Sequence, residues 1–208
     1  MTDIKILLEN FKKYSLKQEE RRYDFERDEE VASDMIDKMG FKHVDVSYEE
    51  GYEDDRHSEQ DFDEYITDTS TPGAVNARIF IPVSEEKSFV VPQGFFKDSI
   101  KPKEMELRKA LIDKYGSDDM RTYGYGITPE FVSNNKANSR NFKENSIAGV
   151  EIKLVGVEFD LSFDEKHAKE KLKKYLKFYK DIDNSFEQIK DHVLKSVAEL
   201  KEKAEQFG

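Results

Sequence analysis

From Leu172 to Phe207, apolar side chains recur at alternating intervals of three and four. The series runs Leu172, Tyr175, Tyr179, Ile182, Phe186, Ile189 and Val193, then, after one extra step of four, Val197, Leu200, Ala204 and Phe207. That alternation lines up one side of an α-helix, and the extra step is a stutter that leaves the stripe intact. The pattern predicts about forty residues of helix, roughly 60 Å if unbroken at 1.5 Å per residue. Ser162 and Glu165 form a capping-box pattern at its start. Asp183, Asn184 and Ser185 offer an alternative, a helical hairpin with Ser185 as cap and Gln188 in the third position. The unbroken helix is preferred, because the spacing passes Asn184 without a slip. A seam of this length must be covered by the chain's own N-terminal helices, by a second copy or by another protein.

The rest of the chain reads as a small α+β body. Residues 3–14 place Ile4, Leu7, Leu8 and Phe11 at helical spacing. The run DIKILLENFKKY resembles short leading helices in proteins of large tailed phages, and twelve residues assign no family. Residues 29–39 form a second helix, with Gly40 as its left-handed cap. Val44, Val46 and Tyr48 then alternate with His43, Asp45 and Ser47 as a half-buried strand. Further strands are read at 61–67, at 75–81 and at 87–91. Pro102 opens a helix to about Lys114, with Met105, Leu107, Ala110 and Leu111 inward. RTYGYGITP reads as a loop or short strand. Residues 149–163 are the clearest strand, with a one-residue phase change at Gly156 that implies a bulge or a tight hairpin. The expected organisation is an N-terminal helical segment (1–40), an α+β body with a mostly antiparallel sheet (41–162), and the C-terminal helix or hairpin (163–208). The body carries an acidic loop at 49–68 and a polar loop at 133–146 with five Asn.

Charge is distributed unevenly. The 208 residues carry 45 acidic and 34 basic side chains, a net of −11. Twenty acids against six bases fall between Gln18 and Asp68, so that quarter holds −14 and the other 157 residues hold +3. Its densest stretch, EEGYEDDRHSEQDFDEYITD at 49–68, has ten acids in twenty residues and is punctuated by aromatics. Such density requires counter-charge, cations or solvent. The opposite pole is at 166–180, where seven lysines stand against Glu170 alone, with Tyr175, Phe178 and Tyr179 between them. Basic residues interleaved with aromatics are one way of binding nucleic acid. The acidic whole-protein field and the helical stripe formed by those aromatics argue for packing instead.

Catalytic signatures are few. With no Cys, disulfides, thiolate nucleophiles and Cys-ligated metals are excluded. The P-loop, EF-hand, HExxH and GxSxG patterns are absent. The GYG at 124–126 region lacks the third Gly of a dinucleotide fingerprint. Candidate metal ligands are His43 with Asp45 on one strand face, and His57 with Asp61 and Asp63 in the acidic loop. A chance Asp or Glu beside a His is the ordinary outcome at this acid density. No cofactor is expected. No apolar run approaches the roughly 18 residues of a membrane span, and no signal peptide opens the chain, which predicts a cytoplasmic protein, or a virion component if viral.

These features point to a non-enzymatic interaction or assembly protein: an adaptor, a scaffold or a viral structural component. Its partner would be another protein or a second copy of itself, with no membrane and no direct nucleic-acid contact. The expected contact residues in the acidic module are Tyr52, Asp54, Asp55, Phe62 and Tyr65. Those on the helix are Tyr175, Tyr179, Phe186 and Val193. Two alternatives are an acidic inhibitor that mimics nucleic acid before a DNA- or RNA-handling enzyme, and a metal-dependent enzyme built on the histidines above.

Overall fold

A computed structural model of the chain describes residues 24–52, 71–133 and 146–207. The expected helix at 3–14, the strand at 61–67, most of the acidic loop and nearly all of the polar loop lie outside the described residues. Within them the fold is α+β, with five α-helices and a four-stranded antiparallel sheet.

Helix α1 (Phe25–Met39) starts four residues before the apolar pattern at 29–39. Asp24 caps it by accepting from the Arg27 N–H at 3.1 Å, and Glu26 and Asp28 complement the dipole in the first turn. Gly40 closes it with φ 59°. Strands β1 (Asp45–Glu49), β2 (Ala74–Pro82), β3 (Ile127–Ser133) and β4 (Ile147–Glu158) stand in the order β1-β2-β4-β3. Two hairpins, β1–β2 and β3–β4, therefore join side by side through β2 and β4. Segment 53–70 connects one hairpin and 134–145 the other, and the register puts those connections at opposite ends of the sheet.

The period-two pattern sorts the faces. Val46, Ala77, Leu154 and Ile127 form one row toward the helices, and Ile79, Ile152 and Pro129 form the next. The other face meets solvent. There Arg78 Nε lies 2.9 Å from Asp45, Lys153 Nζ lies 2.8 Å from Glu130, and Glu151 stands 3.9 and 3.7 Å from the two cations. The phase change at Gly156 is a β-bulge: between Val75 and Ala77 the partner moves from Val157 to Leu154, leaving one extra residue on β4. A Cβ at Gly156 would meet the end of the Asn76 side chain, which would have to shift to admit it. The strand ends at Glu158 rather than 163. Phe159 and Leu161 remain buried in the turn beyond it, while Phe163 is 67% exposed.

Three other expectations are corrected. Residues 87–91 form no strand, since Val90 makes a single bridge to Ser146 after a turn. RTYGYGITP is divided among α3 (Asp118–Tyr123), a two-glycine turn and β3. Helix α2 (Lys101–Tyr115), preceded by a π-helical turn at Phe96–Ile100, buries Leu107 and Leu111 as expected but leaves Met105 72% exposed. Its inward side is set by buried Glu104, which accepts from the Phe131 N–H at 3.0 Å and from Lys101 at 2.6 Å. Met105 is one residue, about 100°, away from that direction.

The C-terminal seam is two helices. Helix α4 (Glu165–Asn184) is capped by Asp164, not Ser162, through a 2.9 Å bond from the His167 N–H. Helix α5 (Phe186–Gln206) follows after Ser185 alone (φ −97°, ψ 8°), which makes no side-chain cap. The last turn of α4 tightens onto a Ser185 N–H to Ile182 C=O bond, and the unbroken helix is lost there. The seam is buried on both sides of the break: α4 packs on β4 and α1, and α5 packs on α2. One cluster of buried residues runs from Ala32 to Ala204.

Asp183 ties these layers together. Its Oδ1 accepts from the backbone N–H groups of Lys42, His43 and Val44 at 3.0, 2.7 and 3.0 Å, and its Oδ2 faces Lys180 Nζ at 3.0 Å. Burial alone would raise this carboxyl, but the three N–H donors and Lys180 outweigh it and hold it at about 2. Because that lies below the ordinary 3.8, the stabilisation is complete above about pH 4 and is lost as pH falls toward 2. Asp183→Ala is expected to lower stability in urea by about 3 kcal/mol, since it strands buried donors. It should also flatten the loss of stability between about pH 4 and 2; an unchanged acid limb in the variant would count against the assignment.

Candidate interaction surface

The hairpin β1–β2 extends past the strands through a reciprocal Tyr52–Thr71 pair, with N–H to C=O bonds of 3.0 and 2.8 Å. The pair closes the base of segment 53–70, which has eight acids and one Arg. Tyr52 is 59% exposed at this base. The register sets Glu49, Ala74 and Glu158 in one row across β1, β2 and β4, so the two exposed carboxylates flank Ala74 about 10 Å apart. Glu50 is exposed next to them. On the β3 side of the same end, Gly124 (φ 65°) and Gly126 (φ 100°) make a turn whose left-handed backbone favours glycine. That turn lifts Tyr123 and Tyr125 into solvent at 74% and 43% exposure, with ring centroids 6.3 Å apart. One end of the sheet thus presents three tyrosines and a row of carboxylates.

Beneath this end lies a buried polar pair. Asp28 is 1% exposed; its Oδ1 accepts from the Leu161 N–H at 3.2 Å, while its Oδ2 has no partner among the described residues. The Tyr48 hydroxyl is likewise without one, its ring lying so close on Gly73 that a Cβ there would clash. Burial, aided by Asp160 and Asp24 and opposed by the Leu161 N–H, raises the Asp28 carboxyl. Burial and then the Asp28 charge push the Tyr48 phenol up to about 12.

The structure separates the remaining candidates. Asp54, Asp55, Phe62 and Tyr65, with His57, Asp61 and Asp63, lie outside the described residues. Tyr179 and Val193 are fully buried; the Tyr179 hydroxyl donates to the Val155 C=O at 2.6 Å. Tyr175 and Phe186 are half-buried against the core. His43 precedes β1 and stacks its ring on Phe186 at 4.0 Å, whereas Asp45 turns to Arg78, so the two do not form a ligand pair. Among the described residues no three His, Asp or Glu side chains converge as metal ligands. At the basic pole the aromatics face inward, away from the solvent-exposed lysines. Lys169 pairs with Glu165 at 2.6 Å, and Lys180 bonds Asp183 and the Gly40 C=O. Exposed Lys173, Lys174 and Lys177 meet no carboxylate within 4.0 Å among the described residues. A shallow groove of about 400 Å³ along α5, lined by Leu194, Lys195, Ala198 and Lys201 with Glu86 and Lys87, holds no buried titratable group.

Tyr123 and Tyr125 were not among the expected contact residues, because RTYGYGITP reads only as a loop or short strand and its GYG was weighed as a nucleotide fingerprint. The legible signal was tyrosine alternating with glycine, which presents aromatics on a turn. Compared with protein-family models, curated proteins and solved structures, the chain matches none. Among the described residues no helix is long and apolar enough to cross a membrane.

The orphaned Asp28 oxygen gives a direct expectation. Asp28→Asn keeps the acceptor for Leu161 and removes a buried charge whose folded carboxyl lies above its ordinary value. The variant should be more stable than the parent by about 1 kcal/mol at pH 7. The difference should vanish as pH falls below about 4, where the parent carboxyl protonates in both states. Urea unfolding at pH 7 and pH 3.5 measures both quantities.

Proposed function

We propose that this chain is a non-enzymatic interaction or assembly protein that engages a basic protein surface through the acidic, tyrosine-bearing end of its sheet. The roles that fit are adaptor, scaffold and structural component of a larger particle. The observation that carries the reading is the placement of Tyr52, Tyr123 and Tyr125 with Glu49, Glu50 and Glu158 on one end of a braced sheet. Tyrosine supplies large contact area at low conformational cost and is enriched at binding hot spots. Carboxylates around it steer a basic partner and set orientation. Segment 53–70, which joins Tyr52 to Thr71, carries seven net negative charges in its sequence. The apolar seam of α4 and α5 takes no part, because it forms the core.

The acid density also fits imitation of a nucleic-acid backbone before a DNA- or RNA-handling enzyme, and competition separates the two. The intact chain is immobilised beside a variant with Tyr52, Tyr123 and Tyr125 changed to Ser and the eight acids of 53–70 neutralised. Partner captured by the intact chain at 0.1 M salt should be lost from the variant, with each tyrosine contributing about tenfold in affinity. Displacement of that partner by an oligonucleotide would favour mimicry. Identical capture by both proteins would overturn the proposal.

A further inference from the structure

The solvent side of α4 is strongly basic on an acidic protein, and its lysines are largely without carboxylate partners among the described residues. Lys166, Lys173 and Lys177 lie on one side of the helix over eleven residues, roughly 16 Å, with Lys174 beside them. Lys166 has only a 4.0 Å contact with Glu170, and the other three meet no carboxylate within 4.0 Å among the described residues. The carboxylates of the sheet end are equally open toward cations. Glu49 accepts only from the Asn76 side-chain amide at 2.8 Å, and neither Glu50 nor Glu158 has an ion-pair partner among the described residues. The acidic row, about 10 Å between Glu49 and Glu158, is shorter than the lysine row and opposes it in sign. Among the described residues of one molecule the two rows do not meet, and a second copy carries the complementary charge for each.

We infer that the lysine row of α4 docks the acidic sheet end of a second copy of this chain. The inference rests on the sheet end being an interaction surface, and adds the partner. The two patches are different surfaces, so the contact is head-to-tail and propagates into short chains or a ring. It is small and polar, and therefore weak and reversible. Its salt dependence has a distinctive form. At 10 mM salt the screening length is about 30 Å, and the −11 net charges repel whole molecule against whole molecule. Near 0.1 M it is about 10 Å, so local attraction survives while net repulsion fades, and at 1 M, about 3 Å, both are screened.

Sedimentation equilibrium from about 10 µM to 1 mM tests this. Mass should rise with concentration at 0.1 M salt and return to the 24.3 kDa monomer at 1 M and toward it at 10 mM. K173E/K174E/K177E and E49K/E50K/E158K, each checked for folding by circular dichroism, should be monomeric alone at 0.1 M and associate when mixed. A monomer at every concentration at 0.1 M overturns the inference, as does assembly that persists at 1 M or a mixture that stays monomeric. If the chain is monomeric throughout yet its sheet end still captures a different basic protein, self-docking fails while the interaction reading stands.

Discussion

One carboxylate holds the architecture in register. Asp183, near the end of α4, receives three consecutive backbone N–H groups from the turn between α1 and β1, some 140 residues earlier. Those donors would otherwise be stranded where the chain leaves a helix and enters an edge strand, because neither element supplies acceptors there. The bond set fixes the end of α4 against the start of β1. It thereby sets the helix direction across the sheet and the burial of Tyr179 and Ile182. Lys180 completes the arrangement by bonding both Asp183 and the Gly40 C=O that closes α1.

With that joint in place, the apolar seam becomes interior. A three–four repeat over such a length suggests an outward coiled-coil surface, yet α4 covers the sheet and α1 while α5 covers α2. Exposed aromatic and acidic side chains stand instead at the sheet end, which is where the proposed interaction is placed. Beneath it, the Asp28 Oδ2 and the Tyr48 hydroxyl are buried without a hydrogen-bond partner among the described residues.

Local features of the fold were legible in the sequence, and long-range ones were not. The alternation at 75–81, the Gly40 cap and the bulge at Gly156 each follow from a few neighbouring residues, whereas the helical run begins before Pro102, at the π-helical turn Phe96–Ile100. The break at Ser185 was offered by Asp183-Asn184-Ser185 but outweighed, because heptad spacing is preserved across a one-residue departure from helical backbone. Met105 was misplaced because the bond from Glu104 to Phe131, 27 residues away, sets the rotation of α2. Strand β3 was obscured by Pro129 and the glycines before it, which a covered edge tolerates and a sequence pattern does not reveal. Of the expected contact residues, Tyr52 stands exposed where the acidic module suggested. Tyr179 and Val193 lie in the core, since aromatic and branched residues at helical spacing look the same whether they face a partner or the chain's own sheet.

The central claim is that the C-terminal helices belong to the core and fold with the sheet as one unit. Native-state hydrogen exchange measures this directly. The amides of Leu172–Ile182 on α4 and Ile189–Leu200 on α5 should open with the same free energy and denaturant dependence as those of Ile79 and Ile152 in the central strands. Helices that exchange through a separate, lower-energy opening while β2 and β4 stay protected would show the seam to be an appendage, and would contradict the account.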